Sequence, residues 1–411
     1  MENEFKLRDY QQEISQKGSV ILKEKKILIL NMEVRTGKTH VALNIASDYQ
    51  RVLFVTTKKA ISSIEDDYSV AGHSFELVVI NYESLHKVTG MFDLIICDES
   101  HKLGAYPKPS VRVKLLKSMV KNDLILLTGT LMPESHSQIF HQLWISPFSP
   151  YSEHKNFYKW FGVYGSKKQI RTPYGLKPDY SDVCFKYAQN AIDDIKISFT
   201  QSQAGFSSEV KENIIWNELP QSTMNVISML KKDKIVEGSN GEVILADTAV
   251  KLMSKLHQLY SGTVKLEDET SLVIDNSKAV LIKSRFNDSK IVIFYKFKAE
   301  LSAIKSVYGD DITTDLQEFN ETPKSIALQI VSGREGINLS KADSLVYYNI
   351  DFSAVSYWQS RDRLTTKERS SNNVYWIFSR GGIETKVYAS VMDKKKYTLS
   401  TFKDDRTNFA D

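Results

Sequence analysis

Cysteine is almost missing from this sequence: Cys97 and Cys184 are the whole complement of a 411-residue chain. Two thiols without C-x-x-C spacing make neither a disulfide framework nor a zinc-ligand pattern, and they predict a reducing compartment. Cys184 is expected to fill a buried apolar site. Long hydrophobic runs are missing too, since none approaches the ~20 residues that a membrane helix needs. The charged opening, MENEFKLRDY, has no secretory apolar core. These absences predict a cytoplasmic protein with no membrane partner. Neither sign of charge dominates: 54 Lys and Arg face 50 Asp and Glu, a formal net of +4. That excess permits a polyanionic partner without demanding one. No catalytic triad, nuclease carboxylate constellation or low-complexity tract stands out.

What remains, 42% hydrophobic and 25% charged residues, is the composition of a folded protein with two or three domains. From residue 1 to 148, apolar runs alternate with helical or loop segments. KKILILNM, RVLFVTT, FELVVIN, FDLIICDE and DLILLTGT read as strands of a parallel sheet covered on both faces. Such a sheet binds its ligand at the carboxyl ends of the strands. A second region of the same kind spans 221–411, with strand-like KIVIFYKF, SIALQIVS, DSLVYYNID and NVYWIFSR and an amphipathic helix in ADTAVKLMSKLHQLYSG. The stretch 149–220 differs. Tyr151 to Lys177 holds six Lys and Arg against one Glu, interleaved with aromatic residues. The expected fold is therefore α/β: two tandem lobes with parallel sheets and a small basic, aromatic accessory segment between them. Within that segment Phe157, Trp160 and Phe161 share a helical face and are expected to be half-buried. Lys167, Lys168 and Arg171 are the better candidates for phosphate contact.

The carboxyl end of the first predicted strand runs into MEVRTGKTHV. Gly37, Lys38 and Thr39 complete the second half of the phosphate-loop pattern G-x-x-x-x-G-K-[ST], while Met32 occupies the place of the first glycine. In such a loop Lys38 reaches the β- and γ-phosphates of ATP, Thr39 ligates Mg²⁺, and backbone amides hold the remaining oxygens. A phosphate loop needs a carboxylate on a neighbouring strand, and LIICDESH supplies Asp98 for water-mediated Mg²⁺ binding. Glu99 is placed to orient or deprotonate the attacking water. His101 is expected near the phosphates.

MEVRTGKT, DESH and TGT (Thr128–Thr130), in that order, resemble motifs I, II and III of the superfamily 2 helicases and translocases, with RecA-like lobes. LTGTLMPES and EGINL point to the Snf-type branch and to phage-type helicases. The resemblance runs over most of the chain. LRDYQ is similar to the family segment whose glutamine reads adenine, which implies that role for Gln11, with Arg8 beside it. LFVTTKK and VINYESL resemble motifs Ia and Ib and imply nucleic-acid contacts by Thr56, Thr57, Lys58 and Tyr82. IVIFYKF and VSGREGINLSKAD resemble motifs IV and V, which implies DNA contact by Lys296 and Asn338 and nucleotide contact by Gly336. YWQSRDR resembles motif VI, with Gln359 and Arg363 acting on the phosphates. Thr366 stands where the family has a second arginine, so Arg363 alone, Lys367 or Arg369 would serve as the finger. Thr128 and Thr130, with His101, are implied to couple hydrolysis to movement.

The resemblance implies an ATP- and Mg²⁺-dependent DNA helicase or translocase, closing two lobes on the nucleotide and acting as a monomer on forked, branched or duplex DNA. Replication or recombination proteins are its expected partners, and the compact length suggests a phage or bacterial cytoplasmic setting. Two alternatives stand beside strand separation. One is a translocase that moves on duplex and remodels protein–DNA complexes. The other is a binding module in which ATP only switches DNA affinity.

Overall fold

A computed structural model describes residues 5–172, 175–206, 209–238, 241–330, 339–352, 360 and 371–392. The chain divides into two compact units, 1–206 and 207–411. Among the described residues no helix is long and apolar enough to cross a membrane.

The first unit holds strands β1 (Ile27–Met32), β2 (Arg51–Thr56), β3 (Glu76–Asn81), β4 (Leu94–Cys97), β5 (Asp123–Thr128), the hairpin β6 (Lys168–Thr172) and β7 (Gly175–Asp179), and β8 (Lys196–Phe199). Six of them form one sheet in the order β3-β2-β4-β5-β1-β8, with every neighbour parallel. Side chains alternate across a strand, so the apolar runs supply two cores at once. Leu28, Leu30, Val52, Phe54 and Ile96 face helices Asp9–Lys25, Lys38–Ala46 and Ile61–Val70. Ile27, Ile29, Leu53, Val55 and Ile95 face the opposite layer, which includes Val113, Phe140 and Trp160.

In the second unit β9 (Glu209–Asn217), β14 (Ile291–Tyr295), β15 (Ile312–Thr313), β16 (Ser325–Gln329), β17 (Ser344–Tyr347) and β18 (Ser371–Ser379) make a parallel sheet ordered β15-β16-β14-β17-β18-β9. Two small antiparallel pairs accompany it: β10 (Ile235–Glu237) with β11 (Val243–Leu245), and β12 (Thr263–Lys265) with β13 (Ser271–Val273). Trp376 stacks on Tyr347 at 4.0 Å between ring centroids, joining β18 to β17 in the core. The amphipathic helix appears as Ala249–Leu259. Two parallel α/β sheets, the first in the RecA-like strand order, are the architecture expected.

The stretch 149–220 is shared between the units. Helix Phe157–Tyr164 buries Phe157, Trp160 and Phe161 completely in the first core. β8 extends the first sheet, β9 extends the second, and the β6–β7 hairpin stands outside both sheets. Cys184, expected inside, is exposed as the residue capping helix Phe185–Asn190.

Candidate nucleotide site

The loop between β1 and helix Lys38–Ala46 turns through two left-handed residues, Arg35 (φ 64°) and Gly37 (φ 79°). Gly37 caps the helix, and a Cβ there would lie 1.9 Å from Gln11 Nε2. Side chains brace the loop where the usual pattern has a further glycine. Thr36 Oγ1 donates to Glu33 O (2.7 Å), and the Thr36 carbonyl accepts from Tyr10 OH (3.1 Å) and Gln11 Nε2 (3.3 Å). From beyond β8, Gln201 Nε2 donates to Val34 O (2.9 Å) and the Gln201 amide to Glu33 Oε2 (2.7 Å). Met32, in the place of the first glycine, simply ends β1 in the core. The loop is held open by contacts remote in sequence.

Gln11 braces the loop from helix Asp9–Lys25. Its Oε1 accepts from the Arg8 amide (2.9 Å) while Nε2 holds Thr36, so both ends of its amide grip backbone. Arg8 itself reaches Tyr10 OH at 3.0 Å. Nearby lies a cavity of about 320 Å³ lined by Phe5, Leu7, Gln12, His40, Asn44 and His73 among others. The Phe5 and His40 rings lie 4.8 Å apart.

The acidic motif sits at the end of β4. Asp98 is buried, with Oδ2 accepting from Thr56 Oγ1 (2.9 Å) and its backbone carbonyl accepting from Tyr82 OH (2.6 Å). Its other oxygen, Oδ1, is buried without a partner. Burial and then the neighbouring Glu99 push the Asp98 carboxyl up to about 6, against the pull of Lys38 and Thr56. Glu99 is left-handed (φ 49°), which turns its side chain to within 3.9 Å of Lys38 Nζ and 3.4 Å of His101 Nδ1. His101 Nδ1 lies 3.3 Å from Thr128 Oγ1, which also accepts from the Thr130 amide at 3.0 Å. The Thr130 hydroxyl is buried and unpartnered. Residues that follow β1, β4 and β5 thus meet within 4 Å of one another. Among the described residues no cluster of three or more His, Cys, Asp or Glu could hold a metal. The orphaned Asp98 oxygen has the hard-donor chemistry that a Mg²⁺ ion takes.

Two of the expected nucleic-acid contacts lie inside the core, and two others pair with carboxylates. Thr56 and Tyr82 are buried and hold Asp98, because the pleat at the end of β2 turns Thr56 inward. Lys168 pairs with Asp182 at 2.7 Å, and Lys296 with Asp351 at 2.9 Å in a largely covered bridge. Lys58 and Lys167 are exposed and Thr57 partly so. The side chain of Arg171, and all of Gly336, Asn338, Gln359, Arg363 and Thr366, lie outside the described residues.

Gln142 escaped the sequence reading because it sits within the apolar helix Ile139–Trp144. Fully buried, it donates to Leu131 O (2.8 Å) and Gln138 O (3.0 Å) and accepts from Ser100 Oγ (3.0 Å). It ties the DESH turn to the segment after Thr130. Local periodicity carries no sign of this role.

No family model matches the chain. It is 22% identical over 385 residues to an ISWI chromatin-remodeling complex ATPase, CHR17, of Arabidopsis thaliana, covering 82% of this chain and 34% of that protein. To the ISWI chromatin-remodeling complex ATPase ISW1 of Saccharomyces cerevisiae it is 21% identical over 392 residues, 83% of this chain and 32% of that one. The chain spans about a third of the length of these two relatives. A solved structure, the Sulfolobus solfataricus SWI2/SNF2 ATPase core in complex with dsDNA, aligns over 98% of this chain and 93% of its own, at 15% identity and a TM-score of 0.44. The plant and yeast chromatin remodelers overturn the expected bacterial or phage-infected cytoplasm.

Proposed function

We propose that the protein is an ATP-driven motor that moves along duplex DNA and remodels protein–DNA complexes without separating the strands. The observation that carries the reading is the convergence of Lys38, Glu99, His101 and Thr128 beside a buried Asp98 with an unpartnered oxygen. Similarity to chromatin-remodeling ATPases over four-fifths of the chain favours duplex translocation over the strand-separating helicase expected first. On this reading the partners are duplex DNA and the proteins bound to it, in place of replication or recombination proteins.

The residues divide the work by charge. Lys38 leaves Glu99 for the β- and γ-phosphates when ATP enters, where its ammonium offsets the charge that develops on the leaving oxygen. Glu99, released, orients the water for in-line attack and takes its proton. Thr39 and Asp98 would hold Mg²⁺, which supplies charge neutralisation at the phosphates. His101, between Glu99 and Thr128, passes the state of the phosphate to the loop after β5. The cavity by Phe5 and His40 takes the adenine, and Gln11 secures the phosphate loop beneath it.

The test is phosphate release with no DNA and with single-stranded, duplex and forked DNA, beside triplex-displacement and strand-displacement assays. Duplex stimulation with third-strand displacement and an intact fork is expected, all abolished in Glu99→Gln. Efficient strand displacement restores the helicase reading. No stimulated phosphate release on any DNA overturns both.

A further inference from the structure

Between Tyr151 and Lys186 the chain carries seven basic and three acidic residues, a net of +4 that equals the formal charge of all 411 residues. The remainder is balanced. Of the seven basic residues, Lys155, Lys159 and Lys167 are exposed on the first lobe. Because helix Phe157–Tyr164 buries Phe157, Trp160 and Phe161, its other face presents Tyr158 at 46% exposure, Val163 at 67% and the Lys159 ammonium. Among the described residues the β6–β7 hairpin pairs with no other strand, and Leu176 on it is 65% exposed.

This ledge, helix and hairpin, is anchored, not trailing. Ser135 Oγ donates to Ser181 O at 2.7 Å, Ser137 Oγ donates to Tyr180 O, and Gly165 bridges to Val183. The Tyr180 ring sits edge-on to Phe157, Tyr158 and Phe161. Ser135 and Ser137 lie between Thr130 and the helix of Gln142, so the hairpin base hangs from the segment that leaves the nucleotide site. Asp182 neutralises Lys168. Lys155, Lys159 and Lys167 are exposed and form no ion pair among the described residues.

We propose that this ledge grips the sugar-phosphate backbone of duplex DNA, with Lys155, Lys159 and Lys167 as phosphate ligands and Tyr158 and Leu176 against the sugars. It rests on the motor reading, to which it adds a contact surface outside the motifs. A duplex presents a charge every ~1.7 Å of its axis, which suits several free ammonium groups beside amphipathic rings. An acidic protein segment is the competing occupant.

The experiment measures fluorescence anisotropy of a labelled duplex across a salt series, using the full chain and the triple variant Lys155→Ala/Lys159→Ala/Lys167→Ala. The variant should bind at least tenfold more weakly and lower the log-log salt slope by about 2–3, near 0.9 per lost phosphate contact. Phosphate release without DNA and the melting temperature should stay unchanged, since none of the three lysines touches the nucleotide site. Unchanged affinity and slope overturn the ledge and leave the motor reading standing. A wild-type chain that binds no duplex defeats the motor reading and the ledge with it. Loss of polyglutamate binding with duplex binding intact assigns the surface to an acidic protein and overturns the proposal.

Discussion

Replacing Gln142 with leucine removes three hydrogen bonds while keeping nearly the same volume. The Leu131 carbonyl and the Ser100 hydroxyl lose a partner inside the core, and so does the Gln138 carbonyl. Stranding a buried polar group costs about 1–3 kcal/mol. The Ser100 hydroxyl can rotate toward another acceptor and Gln138 lies within a helical turn, so the Leu131 carbonyl bears the full penalty and the other two a part of it, about 2–5 kcal/mol in all. The added apolar surface returns about 1–2 kcal/mol. The net expectation is a loss of about 1–3 kcal/mol, a sizeable share of the 5–15 kcal/mol that typically separates folded from unfolded chains. Urea denaturation followed by tryptophan fluorescence reads it, since Trp144 and Trp160 sit in the first lobe. The same substitution loosens the DESH turn from the segment after Thr130. The rate of phosphate release at saturating ATP should therefore fall by at least tenfold, with nucleotide affinity changing much less. Gln142→Glu, which sets a buried carboxylate against the Leu131 and Gln138 carbonyls, should be the more damaging of the two at neutral pH. A stability change below about 0.5 kcal/mol together with an unaltered rate would refute the reasoning, because the two loops would then be held by something else.

In the second lobe Lys278 and Glu384 form an ion pair at 2.8 Å with both side chains at 1% exposure or less. Lys278→Met should cost about 3–5 kcal/mol by leaving the carboxylate uncompensated, and adding Glu384→Leu should recover most of it; equal damage in the double variant would disprove an electrostatic cause. Burial holds the His141 ring at about 4, helped by Lys117 and opposed by its contact with Ala105 O. Folded His141 therefore stays neutral where the unfolded chain takes up a proton. Its contribution is intact above about pH 6.5 and is lost toward pH 4 at about 1.4 kcal/mol per unit. His141→Phe should flatten the acid limb of the stability profile, and an unchanged limb counts against a neutral ring. Gly37→Ala combines a left-handed backbone with a Cβ 1.9 Å from Gln11 Nε2. It should detach Gln11 from Thr36 and weaken binding of a fluorescent ATP analogue at least tenfold without altering far-UV circular dichroism; retained affinity would show that Gln11 is no brace.

Strand positions and the strand-end placement of G-K-T and D-E-S-H could be read from the letters alone. Strands buried on both faces must be near-continuously apolar, and the polar residues that end them are left at the sheet's carboxyl edge. The edge strands β8 and β9 went unseen for the converse reason. An edge strand is open on one side, so Ile214 and Trp216 remain more than 40% exposed in a run that also carries Glu209, Lys211 and Glu212, and no apolar pattern is imposed.

Local order alone settled which residue types stand at the ends of the strands, because burial dictates composition one strand at a time. Only the folded chain decided which of them turn inward. Thr56 and Tyr82 look like surface contacts until the registers of β2 against β3 and β4 set them on Asp98. The braces of the phosphate loop come from Tyr10, Gln11 and Gln201, and that of the acidic turn from Gln142. Hydrogen bonds between groups tens to more than a hundred residues apart leave no trace in local periodicity; they exist only once the sheet has brought the carboxyl ends of its strands together.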